Sequence, residues 1–229
     1  MNADGSGETL LASSGGWPAW SPWGDKIAFQ SPGNCNAGGI TGWPCLYFMG
    51  ADGSNQTNLN VALTDGVLLA WSPDATKIAF ISWHDPQCGG GTQADGLYTV
   101  NADGSGQTLL YFDCTRGNPE DVSWSPDGKR LAIGMDSTPS SALCGIYVIN
   151  ADGTGLSRMT NPDCSSTTQN HPSWSADGQN IFFQQQTAST GVYQIFSVNV
   201  VSFGVTLITS TVSANPNPDC RRCGRFDRL

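Results

Sequence analysis

Charge, helix signals and catalytic signatures are what this chain has least of. Asp, Glu, Lys and Arg together make up 13% of its 229 residues, Glu occurs only as Glu8 and Glu120, and histidine only as His84 and His171. No apolar run approaches the roughly 20 residues of a membrane-crossing helix, and no 3.6-residue periodicity is sustained. A helical membrane span and a helical bundle are therefore excluded. The chain has no Gly-x-Ser-x-Gly elbow, no His-Glu-x-x-His and no phosphate-binding Gly loop. Glu120 and Asp121 are adjacent, and neighbours on a strand point to opposite faces, which makes them a poor acid–base couple. The net charge of −9 divides into −12 over residues 1–219 and +3 over the last ten, where Arg221, Arg222, Arg225 and Arg228 oppose Asp227. An acidic body argues against nucleic acid as a partner. No secretory leader pattern precedes the first repeat element, so Met1 reads as an internal position of a longer precursor or the start of a processed chain.

What the chain has in abundance is turn residues and repetition. Gly and Pro together number 41, which suits many short strands joined by tight turns. The stretch Trp124-Ser125-Pro126-Asp127-Gly128-Lys129-Arg130-Leu131-Ala132-Ile133 has copies beginning at Trp20, Trp71 and Trp174, spaced 51, 53 and 50 residues apart. Self-similarity at that period signals a solenoid or a propeller. Ser-Pro-Asp-Gly suits a type I turn, with Pro presetting φ at its second position. A second turn element, Asn-Ala-Asp-Gly-Ser/Thr-Gly, occurs at Asn2, Asn101 and Asn150. Asp4, Asp52, Asp74, Asp103, Asp127, Asp152 and Asp177 all fall in these turns and read as turn chemistry, not as metal ligands.

Each repeat follows one plan. Strand A ends on the Trp, the Ser-Pro-Asp-Gly turn leads to strand B, a variable loop leads to strand C, and the Ala-Asp-Gly turn leads to strand D. Strands B and C are apolar on both faces, as expected when a small sheet lies between two others. The fold class is therefore all-β, a propeller of four complete four-stranded blades near 17–62, 67–113, 119–160 and 171–210. Partial blade elements stand at 1–12 and 214–229. Glu8-Thr9-Leu10-Leu11-Ala12 matches Gln107-Thr108-Leu109-Leu110-Tyr111, a fourth strand without its first three.

The unit Trp-Ser-Pro-Asp-Gly-Lys-x-Ile-Ala-Phe, followed by Ile-Tyr-Val-x-Asn-Ala-Asp-Gly, resembles the TolB-like (WD40-like) propeller repeat. That resemblance covers nearly the whole chain. It implies a propeller, usually six-bladed, in a family that includes periplasmic protein-binding proteins and the gating propellers of prolyl-oligopeptidase-type enzymes. Four complete blades depart from the usual ring, and the half-elements at both ends look like cut edges.

Eight cysteines in an acidic β-protein point to an oxidising compartment, extracellular or periplasmic. In an A-B-C-D meander the B–C and D–A loops emerge on one face, which predicts Cys35–Cys45, Cys88–Cys114 and Cys144–Cys164. Cys220 and Cys223 are left to bond each other or a neighbouring chain. Zinc at that pair would need two more ligands, and His84 and His171 are placed in other loops. Neither a metal nor a cofactor is expected. Trp17, Trp43 and Trp83, extra to the repeat, fall near the same loops with His84 and are the candidate binding residues. Ser137–Ser141 and Ser165–Thr168 have the composition of O-glycosylated loops.

The expected function is that of a non-enzymatic protein-interaction or structural module, its partner another protein or a copy of itself joined head to tail through the terminal elements. Two alternatives stay open: a carbohydrate-binding propeller using loop Trp residues, and a gating propeller fragment of a peptidase.

Overall fold

The computed structural model describes residues 6–33, 35, 44–63, 68–82, 95–113, 118–136, 144–161, 167–187 and 192–209. They form sixteen strands in four antiparallel sheets, each a simple meander. The first sheet holds β1 (Gly16–Trp20), β2 (Lys26–Pro32), β3 (Pro44–Gly50) and β4 (Thr57–Ala62). The second holds β5 (Ala70–Trp71), β6 (Lys77–Ser82), β7 (Gly96–Asn101) and β8 (Thr108–Phe112). The third holds β9 (Asn118–Trp124), β10 (Arg130–Asp136), β11 (Gly145–Asn150) and β12 (Ser157–Arg158), and the fourth β13 (Thr167–Trp174), β14 (Asn180–Thr187), β15 (Tyr193–Asn199) and β16 (Val205–Leu207). No helix long and apolar enough to cross a membrane occurs among the described residues.

The sheets stack as blades, and the two-faced apolar strands explain why. On β6, Ile78 and Phe80 join a core with the first blade, while Ala79 and Ile81 join one with the third. On β10, Leu131, Ile133 and Met135 face the second blade and Ala132 the fourth. Period-two alternation on a strand buried from both sides thus feeds two interfaces.

The repeat serine sets each A–B turn. The Ser125 hydroxyl accepts the Arg130 N–H at 2.9 Å and donates to Asp127 at 2.6 Å, and Gly128 closes the turn by donating to the Ser125 carbonyl. Ser72 and Ser175 do the same with Asp74 and Asp177. The first blade has Trp23 where the others have this Asp, and Ser21 bonds Asp25 instead, at 2.7 Å. The serine hydroxyls, and then the N–H groups of Thr76, Lys129 and Gln179, hold the carboxyls of Asp74, Asp127 and Asp177 below the ordinary carboxylate value. The residue closing the turn takes positive φ. It is Gly at 24, 128 and 178, but Ala75 in the second blade, at φ 58°.

The C–D turns are built alike. Asp52, Asp103 and Asp152 accept the N–H two residues on, and Gly53, Gly104 and Gly153 take φ near 85°. Two of these glycines lie against the outermost strand of the preceding blade: a Cβ on Gly104 would meet the Leu59 carbonyl at 2.8 Å, and one on Gly153 the Leu110 carbonyl at 3.0 Å. The fourth blade lacks the Asp-Gly turn, yet its hairpin still closes, with the Asn199 side chain accepting the N–H groups of Val201 and Ser202 and Phe203 taking the positive φ.

Three expectations need correction. Residues 8–12 form no strand; they lie against the first blade as an unpaired segment. Thr167 and Thr168 belong to β13, paired with Thr187 and Gln186, not to a loop. His171 likewise sits in β13. Cys35 and Cys45 are joined, with Cα atoms 5.8 Å apart. Cys144 is also disulfide-bonded. Cys88, Cys114, Cys164, Cys220, Cys223, Trp43, Trp83, His84 and the segment 214–229 lie outside the described residues.

Candidate functional site

The innermost strands β1, β5, β9 and β13 converge with the segments beside them on a central cavity of about 680 Å³, within the range of small-ligand sites. Its wall takes the residue three positions before each repeat Trp: Trp17, Leu68, Asp121 and His171. Trp20, Pro22, Pro73 and Pro172 line it as well.

Two of those four positions are aimed by the same device. In β1 the pairing steps from Gly16↔Gln30 to Ala19↔Ala28, and in β13 from Asn170↔Gln184 to Ser173↔Phe182. Two residues therefore oppose one, which is a β-bulge. The bulged pairs are Trp17-Pro18 and His171-Pro172. Pro donates nothing to a ladder and is tolerated at a bulge on an edge strand. Trp17 and His171 have φ of 52° and 54°. For non-glycine residues before a proline this backbone is strained, and it persists where the surroundings over-determine it.

At His171 the determinant is visible. The buried Asp121 carboxylate accepts the His171 backbone N–H at 2.8 Å and lies 3.5 Å from its Nδ1, tying the third blade to the fourth beside the axis. Nδ1 is buried while the ring is about a third exposed, so the remaining ring nitrogen is the one available to the cavity. Trp17 is half exposed.

Of the candidate binding residues, the structure thus places Trp17 on this cavity, with Trp20, Asp121 and His171. Sequence reasoning passed over those three, as repeat framework, half of an acidic pair and a loop residue. The signal was present: Trp17-Pro18-x-Trp20 and His171-Pro172-x-Trp174 are one pattern. Among the described residues no group of three or more His, Cys, Asp or Glu is placed to hold a metal ion.

A model of the TolB beta propeller domain matches residues 45–226. The chain belongs to the TolB beta propeller domain family. Among solved structures it is similar to TolB from Acinetobacter baumannii, with a TM-score of 0.65 and 19% identity over 90% of this chain and 47% of that one. It is similar to an oligogalacturonate lyase in complex with manganese, with a TM-score of 0.66 and 14% identity over 90% of this chain and 56% of that one. The β-propeller domain of the trilobed protease from Pyrococcus furiosus, described as having an open velcro topology, gives a TM-score of 0.55 and 11% identity over 87% of this chain and 58% of that one. At these identities the likeness is one of fold. This TolB-family chain spans about half the length of the TolB it matches.

Proposed function

We propose that this TolB-family propeller is a non-enzymatic protein-interaction module of an extracellular or periplasmic compartment, and that it associates with itself head to tail through its end blades. The observation that carries the reading is the segment ending at Ala12. Leu11 lies against Gly53 with its carbonyl 3.2 Å from a Cβ built there, the relation that Leu59 bears to Gly104 and Leu110 to Gly153. Leu11 thus holds the place of a fourth strand of a preceding blade, but pairs with no sheet among the described residues. A blade face that takes up an unpaired segment is one built to receive a neighbour, and unsatisfied sheet edges recruit partners. The Cys35–Cys45 bond and the bonded Cys144 support the oxidising compartment. Light scattering and negative-stain imaging of the non-reduced protein over a concentration series test the reading. Oligomers or filaments that grow with concentration are expected; a compact single-chain particle at high concentration refutes self-association.

One observation favours a second reading, a carbohydrate-binding propeller. Trp17 and Trp20, both half exposed, share the central cavity with Asp121 and His171, which combines flat apolar rings with hydrogen-bonding groups. Binding of a soluble glycan that is lost in Trp17→Ala supports it; a glycan array blank across many sugars refutes it.

A further inference from the structure

One hydrogen bond repeats at every junction between blades. The indole N–H of Trp71 donates to the Ala19 carbonyl at 3.0 Å, that of Trp124 to Ala70 at 3.0 Å, and that of Trp174 to Ser123 at 3.2 Å. The acceptor is always the residue just before the repeat Trp of the preceding blade. The series leaves one donor and one acceptor over. Trp20 makes no hydrogen bond through its indole among the described residues, and it is 48% exposed where Trp71, Trp124 and Trp174 are each 8%. At the other end Ser173 stands just before Trp174 in the same register, and no indole donates to it among the described residues.

Among the described residues the apolar faces show the same two openings. On the third blade Ala132, Ile146, Val148 and Met159 face the fourth. The pairings place Phe182, Ile195, Ser197 and Ile208 at the same positions of the fourth blade. Met159 is 7% exposed and Ile208 50%. Phe182 stands where the other blades have Ala28, Ala79 and Ala132, but the bulk is exchanged within one cross-strand pair. Ala28 opposes Phe48 in the first blade, and Phe182 opposes Ser197 in the fourth. Each face therefore offers one ring beside one small residue, and in the first junction that ring, Phe48, stacks on Trp71 with centroids 5.0 Å apart. On the opposite edge a Cβ on Gly24 would meet nothing within 4 Å, whereas one on Gly128 would touch Pro73 and one on Gly178 Pro126.

We propose that the occupant of each open face is a second copy of this chain. The Trp20 edge of one copy seats on the fourth blade of another, and the Trp20 N–H donates to the partner copy's Ser173 carbonyl. The proposal rests on the self-association reading and names its contact. The donor edge and acceptor edge are different surfaces, so the contact is heterologous. Residues 8–12 cover the outer part of the Trp20 face, where Leu11 and Ala12 pack on Ile27, Phe29 and Met49. Gln56 donates to the Leu11 carbonyl at 2.8 Å there. The partner copy's fourth strand competes with this segment for the same ground.

Mixing tests the contact. Trp20→Ala spoils one edge and Ile208→Asp the other, in the full non-reduced chain followed by light scattering. Each variant alone is expected to stay monomeric, while an equimolar mixture yields one-to-one dimers and nothing larger, because one intact edge of each kind remains. That rescue also shows that both variants fold. Trp20→Phe, which keeps a ring and loses the N–H, is expected to weaken association roughly 2- to 10-fold, the net worth of one hydrogen bond. Leu11→Asp, which loosens the competing segment, is expected to strengthen it. A wild-type chain that never associates refutes the self-association reading itself. A wild-type chain that associates while Trp20→Ala and Ile208→Asp associate as well as it does refutes only the contact, as does a mixture with no dimer or a drop in association for Leu11→Asp.

Discussion

Replacing Trp124 by Phe in the central junction, with Trp20→Phe as its control, measures how much each blade depends on the one before it. Trp124 is buried, and its N–H donates to the Ala70 carbonyl at 3.0 Å across the junction. Phe loses that donor, worth about 1 kcal/mol net. It also leaves unfilled part of the space that the indole occupies among Ile81, Leu131 and Ile133, worth about 1–2 kcal/mol more. The sum, about 2–3 kcal/mol, corresponds to a fall in melting temperature of roughly 4–12 °C for a domain of this size. Trp20→Phe removes a half-exposed ring's N–H that bonds nothing among the described residues, and is expected to cost under about 0.5 kcal/mol. The assay is thermal unfolding by circular dichroism at low protein concentration with disulfides intact, so that association does not enter. Equal melting temperatures for the two variants, or a Trp124→Phe protein within 1 °C or so of wild type, refute the reasoning.

Three further outcomes follow from the turns and the buried acid. Ala75→Gly relieves the left-handed backbone at φ 58° and is expected to stabilise by about 0.5–1 kcal/mol, read as a higher denaturant midpoint with unchanged slope. Ser125→Ala removes a buried hydroxyl that accepts the Arg130 N–H and donates to the exposed Asp127 carboxylate, and is expected to destabilise by about 1 kcal/mol in the same assay. Burial pushes the Asp95 carboxyl up to about 7 from an ordinary 3.8. The folded chain then holds a proton that the unfolded chain has released, so this group's contribution falls as pH rises from about 4 to about 7 and levels off above. Asp95→Asn is expected to flatten that slope in a pH series of denaturation midpoints. The turn aspartates act in a separate window: their lowered values stabilise above pH 4, and that stability is lost on further acidification.

The blades were legible because the repeat writes its own turn chemistry. Ser72, Pro73 and Asp74 state a turn in sequence and form it through bonds no longer than five residues. The double-sided apolar strands were legible for a similar reason, since Ile78, Ala79, Phe80 and Ile81 allow no solvent face. The central site was not legible. Its residues are brought together by bulges, and a bulge depends on how two strands meet, not on either alone. Trp17 and His171 therefore looked like loop residues although both lie in strands. Asp121 was judged against its sequence neighbour Glu120, whereas its partner is fifty residues away in the next blade. The strand expected at residues 8–12 failed for lack of a ladder: Leu11 and Ala12 pack on the first blade while Leu10 is exposed, and among the described residues no strand pairs with the segment.

The indole bonds between blades also have a direction in time. In each of them the donor lies about fifty residues later in the chain than its acceptor, Trp71 after Ala19, Trp124 after Ala70 and Trp174 after Ser123. A chain that emerges from the ribosome N-terminus first therefore always presents the docking carbonyl before the indole that will seek it. Each new indole meets an acceptor already made, and only the far face of each blade waits for the blade that follows. The order of synthesis and the order of assembly coincide, which keeps bare apolar faces short-lived while the protein is being built.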